Sequence, residues 1–206
     1  GINPQGCRAV SFKEPSVEEL AHDFLWRIEK QVPRRGEMAI FNRSHYEDVL
    51  IVRVHNLVPR EQWSQRYAQI NDFERKLVAN GTRILKFFLH IDKEEQLERF
   101  KDRLDDPNRH WKISNADYTE RERWTDYQEA YEDALANCST EEVPWFVIPS
   151  NHKWFRDLAI SEIIVQTMED MKIQVPAPTV DIADIRRKYH QAAGRIVVKK
   201  ARKKSD

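Results

Sequence analysis

The fold is decided by residues 38–48, which read Met38-Ala39-Ile40-Phe41-Asn42-Arg43-Ser44-His45-Tyr46-Glu47-Asp48. A short apolar run, residues 38–41, ends abruptly in seven residues with polar or ionisable side chains. A buried parallel strand ends in this way when its carboxyl end opens onto a ligand crevice. The alternative is an ordinary strand-to-helix turn whose charges are solvated, and these residues alone leave both interpretations open.

The polar part of this stretch has the chemistry of a phosphate site. Arg43 can bind an anion through two parallel hydrogen bonds, and Glu47 and Asp48 can hold a hard cation beside it. His45 is the one histidine that lies inside such a cluster. Because no pair of histidines has metal-ligand spacing, the sequence does not favour a transition-metal site.

Short apolar segments alternate with helical patterns along the chain. We expect strands at residues 7–12, 38–41, 82–91 and 143–148. Helices are predicted at residues 16–31, 61–80, between Asp92 and Pro107, at 118–137 and at 153–173. Strands separated by helices predict an α/β fold, with a parallel sheet flanked by helices.

Two segments need a separate prediction. Residues 46–59 are rich in β-branched side chains, yet we predict no strand there, because a parallel neighbour of the preceding strand would need a crossover helix. Beyond the Pro-rich residues 175–178 we expect an extended arm with at most one short helix.

The composition limits the class of protein. The chain has 206 residues, of which 40% are hydrophobic and 33% charged, and this balance is typical of one main globular domain. Its formal charge is zero, so no overall electrostatic field would attract nucleic acid or a membrane surface. Its two cysteines predict free thiols in a reducing compartment, and no apolar run could span a bilayer, so we expect a cytoplasmic protein. Residues 186–206 carry nine Lys or Arg against one Asp, which is typical of a solvated terminus and less often of an anion-binding arm.

A second basic cluster follows the predicted strand 82–91. It consists of Arg99, Lys101, Arg103, Arg109 and Lys112. Arg99 and Arg103 are four residues apart and share a helix face that could grip a polyanion and close over it. The alternative, which these residues alone favour, is a solvated face on which neighbouring acidic residues neutralise the arginines.

Several motifs, in order along the chain, resemble the polyphosphate kinase 2 family. They are Gly1–Cys7, Phe41–Leu50, Arg53–His55, Trp111–Lys112 and His152–Trp154. Asn42 together with Glu47 and Asp48 is similar to the subgroup that phosphorylates nucleoside mono- and diphosphates. The resemblance covers residue 1 to about residue 175 and leaves 176–206 as a basic C-terminal tail.

The resemblance implies a P-loop kinase fold like that of thymidylate kinase, with an inserted helical lid at about residues 95–125. It implies Mg²⁺-dependent phosphoryl transfer from polyphosphate to AMP or ADP, with ATP among the nucleotides bound, in a homo-oligomer. Arg43 and Arg103 would be catalytic, and Glu47 and Asp48 would hold the metal. Substrate-binding positions would be Asn42, His45, Arg99 and Lys112.

One motif of the family is absent from the sequence. No Gly-x-x-x-x-Gly-Lys occurs, and none of the five glycines is followed by lysine. The resemblance implies that the phosphate loop and its strand would lie upstream of Gly1. Without the N–H groups and lysine of that loop, we expect this chain alone to be a poor catalyst or none. The alternative is a non-catalytic phosphate-binding or oligomer-forming remnant.

Overall fold

The computed structural model describes the backbone of residues 4–202 and the side chains of residues 5–194. The chain divides into two units, residues 1–164 and residues 165–206. The four strands found among the described residues belong to the first unit, as do residues 42–48, which are called the 42–48 turn below. None of the described helices is long and apolar enough to cross a membrane.

The first two strands pair in parallel. Strand β1 (Cys7–Ser11) lies beside β2 (Met38–Asn42), with Cys7 opposite Met38 and Ser11 opposite Asn42. A parallel pair needs a crossover, and helices α1 (Val17–Leu20) and α2 (Trp26–Glu29) lie in this one. The prediction of one continuous helix over residues 16–31 is wrong. Apolar residues of α1 are exposed, and the Asp23 side chain accepts the N–H of Leu25, so a turn separates the two helices.

Strands β3 (Lys86–His90) and β4 (Trp145–Pro149) form a second parallel pair. Their carboxyl ends are joined where the N–H of Ser150 donates to the carbonyl of His90 at 2.7 Å. Within the described part of the chain the two pairs are not hydrogen-bonded to each other. The predicted fold class, parallel strands flanked by helices, is confirmed.

Helices occupy most of the remaining chain. They are a 3₁₀ helix at His45–Val49, α3 (Ile51–Val54), α4 (Arg60–Ala79), α5 (Lys93–Asp105), a 3₁₀ helix at Pro107–Lys112, α6 (Asn115–Glu122), α7 (Trp124–Cys138), α8 (Lys153–Asp170) and α9 (Ile182–Arg202). Residues 46–59 contain no strand, as predicted. The helix predicted at 118–137 is two helices that meet at Arg123.

The expected extended arm beyond residue 175 is wrong, because α9 contains 21 residues. Its start is capped by Asp181, whose carboxylate accepts the N–H of Ala183 at 2.8 Å. Lys188 lies 2.6 Å from Asp184, one helical turn away. A good cap and a pair at i, i+4 both favour helix over extended chain.

The main hydrophobic core lies directly under the 42–48 turn. It is formed by Tyr46, Val49, Leu50, Val54, Tyr67, Ile70, Ala130, Ala134 and Cys138. Tyr46 and Val49 are three residues apart, which places both on the buried side of the 3₁₀ helix that follows Ser44. The core therefore fixes the polar residues that lie between them in sequence.

Candidate functional site

The 42–48 turn begins at an exposed strand end. Asn42 is the last residue of β2, and its carbonyl accepts the N–H of Phe12 at 3.1 Å. Arg43 follows with φ +62°, a left-handed conformation that is strained for any residue except glycine. Ser44 then caps the 3₁₀ helix by accepting the N–H of Tyr46. A strained, exposed arginine held by neighbouring structure is typical of a functional position.

Glu47 is the carboxylate of the turn that has no partner. It is half-buried, and neither a hydrogen bond nor an ion pair reaches its side chain from residues 5–194. Burial raises the pKa of Glu47 above its usual range, although the positive charges of Arg43 and Arg27 oppose this effect. A desolvated carboxylate beside two arginines is suited to accept a cation and, through it, an anion.

Asp48, in contrast, is already paired. Nη1 of Arg66, on α4, donates to the Asp48 carboxylate and to the Asp48 carbonyl, each at 3.0 Å. Burial raises the pKa of Asp48, and the charges of Arg66 and Arg27 oppose the shift. The carboxylate thus ties the turn to α4, and the two neighbouring acids have different surroundings.

A buried polar network supports the turn from below. Nζ of Lys86 donates to Glu74 Oε2 at 2.7 Å, to the Tyr46 hydroxyl at 2.9 Å and to the carbonyl of Cys138 at 2.6 Å. The Tyr46 hydroxyl donates to Glu74 Oε1 at 3.0 Å, and His45 Nε2 lies 3.4 Å from the same oxygen. Glu74 and Lys86 are only 2% and 6% exposed. This network joins the turn to α4, β3 and α7.

Protonation equilibria inside the network follow from burial and charge. Burial opposes ionisation of Glu74, but His45 and Lys86 outweigh it, so the pKa of Glu74 is lowered. Burial and the charge of Glu74 raise the pKa of Tyr46 well above its usual range. Burial also raises the pKa of the Cys138 thiol to about 11. Glu74 is therefore ionised at neutral pH, whereas Tyr46 and Cys138 keep their protons.

Helix α7 places two tyrosines near Glu47. Burial and the charge of Glu47 raise the pKa of Tyr131 to about 12, and its ring stacks on Phe88 of β3 at 4.5 Å. The Tyr127 hydroxyl donates to Glu120 Oε2 at 2.6 Å. Burial, together with the negative charges of Glu120 and Glu47, raises the pKa of Tyr127. Glu120 also lies 2.9 Å from His55 Nε2. Helix α6 is thereby anchored to α7 and to the residue that follows α3.

The second basic cluster consists largely of paired side chains. The Arg99 guanidinium donates to Glu95 at 2.7 Å and to the carbonyl of Ser150, while Arg103 lies 3.8 Å from Asp117. Nζ of Lys112 lies over the exposed Trp111 ring, 4.9 Å from its centroid. No hydrogen bond or ion pair among the described side chains joins this cluster to the 42–48 turn. Convergence of Arg103 and Arg43 on one phosphoryl group therefore stays a prediction.

Comparison with known proteins decides the family. The sequence model described as "Polyphosphate kinase 2" matches residues 1–176. The chain belongs to the polyphosphate kinase 2 family. The predicted family is thus confirmed.

Curated relatives of this polyphosphate kinase 2 chain have related names. It is 54% identical over 178 residues to the "AMP/ADP-polyphosphate phosphotransferase" of Meiothermus ruber, covering 86% of this chain and 67% of that one. It is 48% identical to the "ADP-polyphosphate phosphotransferase" of Rhodopseudomonas palustris, covering 87% of this chain and 66% of that one. The chain therefore spans about two thirds of the length of these two relatives.

A solved structure gives the same result for the fold. Polyphosphate kinase 2 from Arthrobacter aurescens TC1 superposes with a TM-score of 0.89 at 45% identity, covering 92% of this chain and 67% of that chain. A putative polyphosphate kinase 2 from Pseudomonas aeruginosa superposes with a TM-score of 0.80 at 34% identity. The parallel strands and their helices therefore have the arrangement of solved family members.

In this polyphosphate kinase 2 chain, the sequence predicts only two metal-binding residues, Glu47 and Asp48. Among the described residues no group of three or more His, Cys, Asp or Glu could hold a metal ion. Mg²⁺ differs from most protein-bound metals, because it is usually held by one or two carboxylates while phosphates and water supply the other ligands. One unpartnered carboxylate, that of Glu47, beside Arg43, which the sequence predicts to bind phosphate, fits that pattern.

Sequence reasoning missed the residues that support the site. Arg27 is buried, donates to the carbonyl of Lys13 at 2.9 Å, and its charge acts on both Glu47 and Asp48. Glu74 and Lys86 could have been noticed, because each interrupts an apolar pattern, Glu74 on the buried side of α4 and Lys86 at the start of β3. His45, in contrast, was predicted from the sequence to bind substrate; it is buried against Glu74, so its imidazole lies below the turn, and its contact with substrate stays a prediction.

Proposed function

We propose that the protein to which this chain belongs transfers a phosphoryl group from polyphosphate to AMP or ADP, with Mg²⁺ as cofactor. The names of the curated relatives support this reaction. The observation that carries the proposal is the unpartnered, half-buried Glu47 carboxylate next to Arg43, at the end of β2. Phosphoryl transfer depends on positioning and charge neutralisation, and these two side chains can contribute to both.

In this proposal, the residues of the turn have separate tasks. Arg43 binds oxygens of the transferring phosphoryl group, for which its exposed side chain is available. Glu47 holds Mg²⁺ directly or through water, and Asn42 contacts substrate at the strand end. The bound cation would neutralise charge on the phosphates. Asp48, paired with Arg66, keeps the turn in register with α4 and completes the metal site only by exchanging that pair.

We further propose that residues 95–125 act as the lid of a domain that spans residues 1–175, with residues 176–206 as a basic tail. Arg103 would close on the reacting phosphates, and Arg99 and Lys112 would guide the polyphosphate chain. Arg103 is suited to this motion because its pair with Asp117 is long, at 3.8 Å, and therefore easily exchanged. Arg99 would have to give up its bonds to Glu95 and Ser150.

Other sequence predictions remain predictions. They are the homo-oligomer, the cytoplasmic location, the absence of a nucleic-acid partner and the binding of ATP. We also propose that the 206 residues alone do not catalyse transfer, because they contain no glycine-rich loop that ends in Gly-Lys.

The test is a coupled assay for ADP and ATP formation from AMP, ADP and polyphosphate. It should be run on this chain and on an extended protein, defined as this chain together with any residues that its gene encodes upstream of residue 1. We expect Mg²⁺-dependent turnover in the extended protein and little in the 206 residues. Polyphosphate binding without turnover in both proteins would instead favour the non-catalytic remnant.

A further inference from the structure

Helix α9 lies outside the part of the chain that matches the family. It begins at Ile182, whereas the match to the polyphosphate kinase 2 sequence model ends at residue 176. It belongs to the second unit, residues 165–206, and the 42–48 turn belongs to the first. The reaction proposed above uses no residue of this helix.

One side of α9 carries apolar side chains that are exposed. Ile182, Ile185 and Tyr189 follow one another at intervals of three and four residues, so they form one stripe along the helix. Their exposed fractions are 48%, 47% and 68%. An apolar stripe of this kind is normally buried against another surface. The stripe of α9 therefore has the character of a contact surface.

Cations border this stripe on both sides. With about 3.6 residues per helical turn, Arg186 lies on one side of the stripe and Lys188 on the other. The acid between them in space, Asp184, is neutralised by Arg187 and Lys188, whose nitrogens lie 3.0 Å and 2.6 Å from its carboxylate. Because residues 186–206 contain nine Lys or Arg against one Asp, this segment is cationic although the whole chain has zero formal charge.

The apolar stripe and the cations together distinguish between partners. A second copy of α9 would cover the stripe, but it would also place cations beside cations. A polyphosphate or nucleic-acid chain would match the cations, but it would leave the stripe exposed. A bilayer with anionic lipids matches both features, because apolar side chains enter the boundary between head groups and acyl chains while cations bind the lipid phosphates.

We propose that α9 binds along the surface of bilayers that contain anionic phospholipids. Ile182, Ile185 and Tyr189 enter the bilayer surface, and Arg186 and Lys188 lie at the head groups. Tyrosine suits this boundary because its ring is apolar and its hydroxyl is polar. Such binding attaches the protein to a membrane surface, and it does not depend on the proposed reaction.

Co-sedimentation of the extended protein with lipid vesicles tests the proposal. One set of vesicles contains phosphatidylcholine alone, and the other contains phosphatidylcholine and phosphatidylglycerol in equal parts. The variant that tests the stripe is Ile185→Ser combined with Tyr189→Ser. Its control is Leu57→Ser, which removes an apolar side chain that is 64% exposed and belongs to the first unit.

A second variant, Arg186→Gln combined with Lys188→Gln, tests the cations. Its control is Arg35→Gln, which removes a cation from an exposed loop of the first unit. Both test variants change only exposed side chains of α9, so we expect them to fold as the unmodified protein does.

We expect the unmodified protein to bind the mixed vesicles and to bind the phosphatidylcholine vesicles much more weakly. Loss of two inserted apolar side chains should weaken binding to the mixed vesicles by about tenfold or more. Loss of the two cations should weaken it by about tenfold, and the remaining binding should respond less to added salt. Neither control should change vesicle binding.

Several results would overturn the proposal. They are absence of binding to the mixed vesicles, equal binding to both kinds of vesicle, and unchanged binding in Ile185→Ser with Tyr189→Ser. Sedimentation equilibrium without vesicles gives a further one: an oligomer that dissociates in this variant, without any vesicle binding, would assign the stripe to a second copy of the chain. Polyphosphate binding that falls in Arg186→Gln with Lys188→Gln, again without vesicle binding, would assign the cations to a polyanion.

The coupled assay keeps this proposal separate from the proposed function. Without vesicles, ADP formation should be the same in both test variants as in the unmodified protein. If the unmodified protein binds the mixed vesicles but forms no ADP from polyphosphate, the proposed reaction fails and the membrane surface stands.

Discussion

Substitution of Lys86 by methionine should destabilise the protein strongly, because Lys86 is the centre of the buried network. The substitution keeps most of the side-chain volume and removes the ammonium group. Glu74, which is 2% exposed, would then lose the partner that lies 2.7 Å from its Oε2. The Tyr46 hydroxyl and the Cys138 carbonyl would each lose a donor as well.

The expected loss is about 3–5 kcal/mol in the free energy of unfolding, as is usual when one partner of a buried ion pair is removed. With a urea dependence of roughly 2 kcal/mol per M, the unfolding midpoint should fall by about 2 M. The loss should shrink on acidification. The pKa of Glu74 is lowered in the native protein, so the stability from its charge is present above the unfolded pKa and is lost as pH falls.

Urea unfolding of the extended protein, followed by tryptophan fluorescence, measures this effect. Lys86→Met combined with Glu74→Gln should be more stable than Lys86→Met alone, because the buried carboxylate that lost its ammonium partner is then neutral. The control is Arg75→Met, which removes a cation from an ion pair at 2.7 Å whose side chains are 66% and 61% exposed. It should change stability by less than about 0.5 kcal/mol. A loss below about 1 kcal/mol in Lys86→Met would refute our description of the network.

Three further substitutions test the site. Arg43→Gly should raise the free energy of unfolding by about 1 kcal/mol, because glycine tolerates φ +62°. The same substitution should lower the rate of phosphoryl transfer by about 100-fold or more. Turnover equal to that of the unmodified protein would show that Arg43 is not part of the site. Glu47→Gln should also stabilise, by about 1 kcal/mol at pH 7. Burial raises the pKa of Glu47, so the native protein loses stability as pH rises from the pKa of the unfolded state through that of the folded state. The gain in the free energy of unfolding of Glu47→Gln should therefore shrink when urea unfolding is measured at acid pH. A gain that stayed the same at acid pH would contradict this. Arg103→Ala should lower the rate of phosphoryl transfer by about 100-fold. The urea midpoint should change little, since the ion pair between Arg103 and Asp117 is long and partly exposed. Arg35→Ala, which removes an arginine from an exposed loop, is the control for both the Arg43 and the Arg103 variants.

The sequence predicted the elements whose signals are local. The four strands in the described part of the chain were predicted to within a few residues, and the absence of a strand at residues 46–59 followed from the need for a crossover. Where the sequence failed, several weak local preferences competed. Residues 16–31 have helical periodicity, but Val17 and Leu20 find no core to pack against, and a turn intervenes. Residues 182–202 form a long helix because a cap and charge pairs favour it, although a Pro-rich segment precedes it.

The candidate site divides in the same way. The sequence brought Arg43, Glu47 and Asp48 to attention because they are neighbours at the end of an apolar run. The sequence could not show that Asp48 is paired and Glu47 is not, since the partner of Asp48 is Arg66, eighteen residues away on α4. Nor could it find Arg27, whose part depends on a turn between two short helices. Contacts between residues distant in sequence are set by packing, which a local pattern does not encode.

The Mg²⁺ dependence of phosphoryl transfer tests most directly whether Glu47 holds the cation beside Arg43. In the extended protein, initial rates of ADP formation from AMP and polyphosphate should be measured across a range of Mg²⁺ concentrations, for the unmodified protein and for Glu47→Gln. We predict that the half-saturating Mg²⁺ concentration rises at least roughly tenfold in the variant. An unchanged Mg²⁺ dependence with full turnover in Glu47→Gln would contradict a metal site at the 42–48 turn.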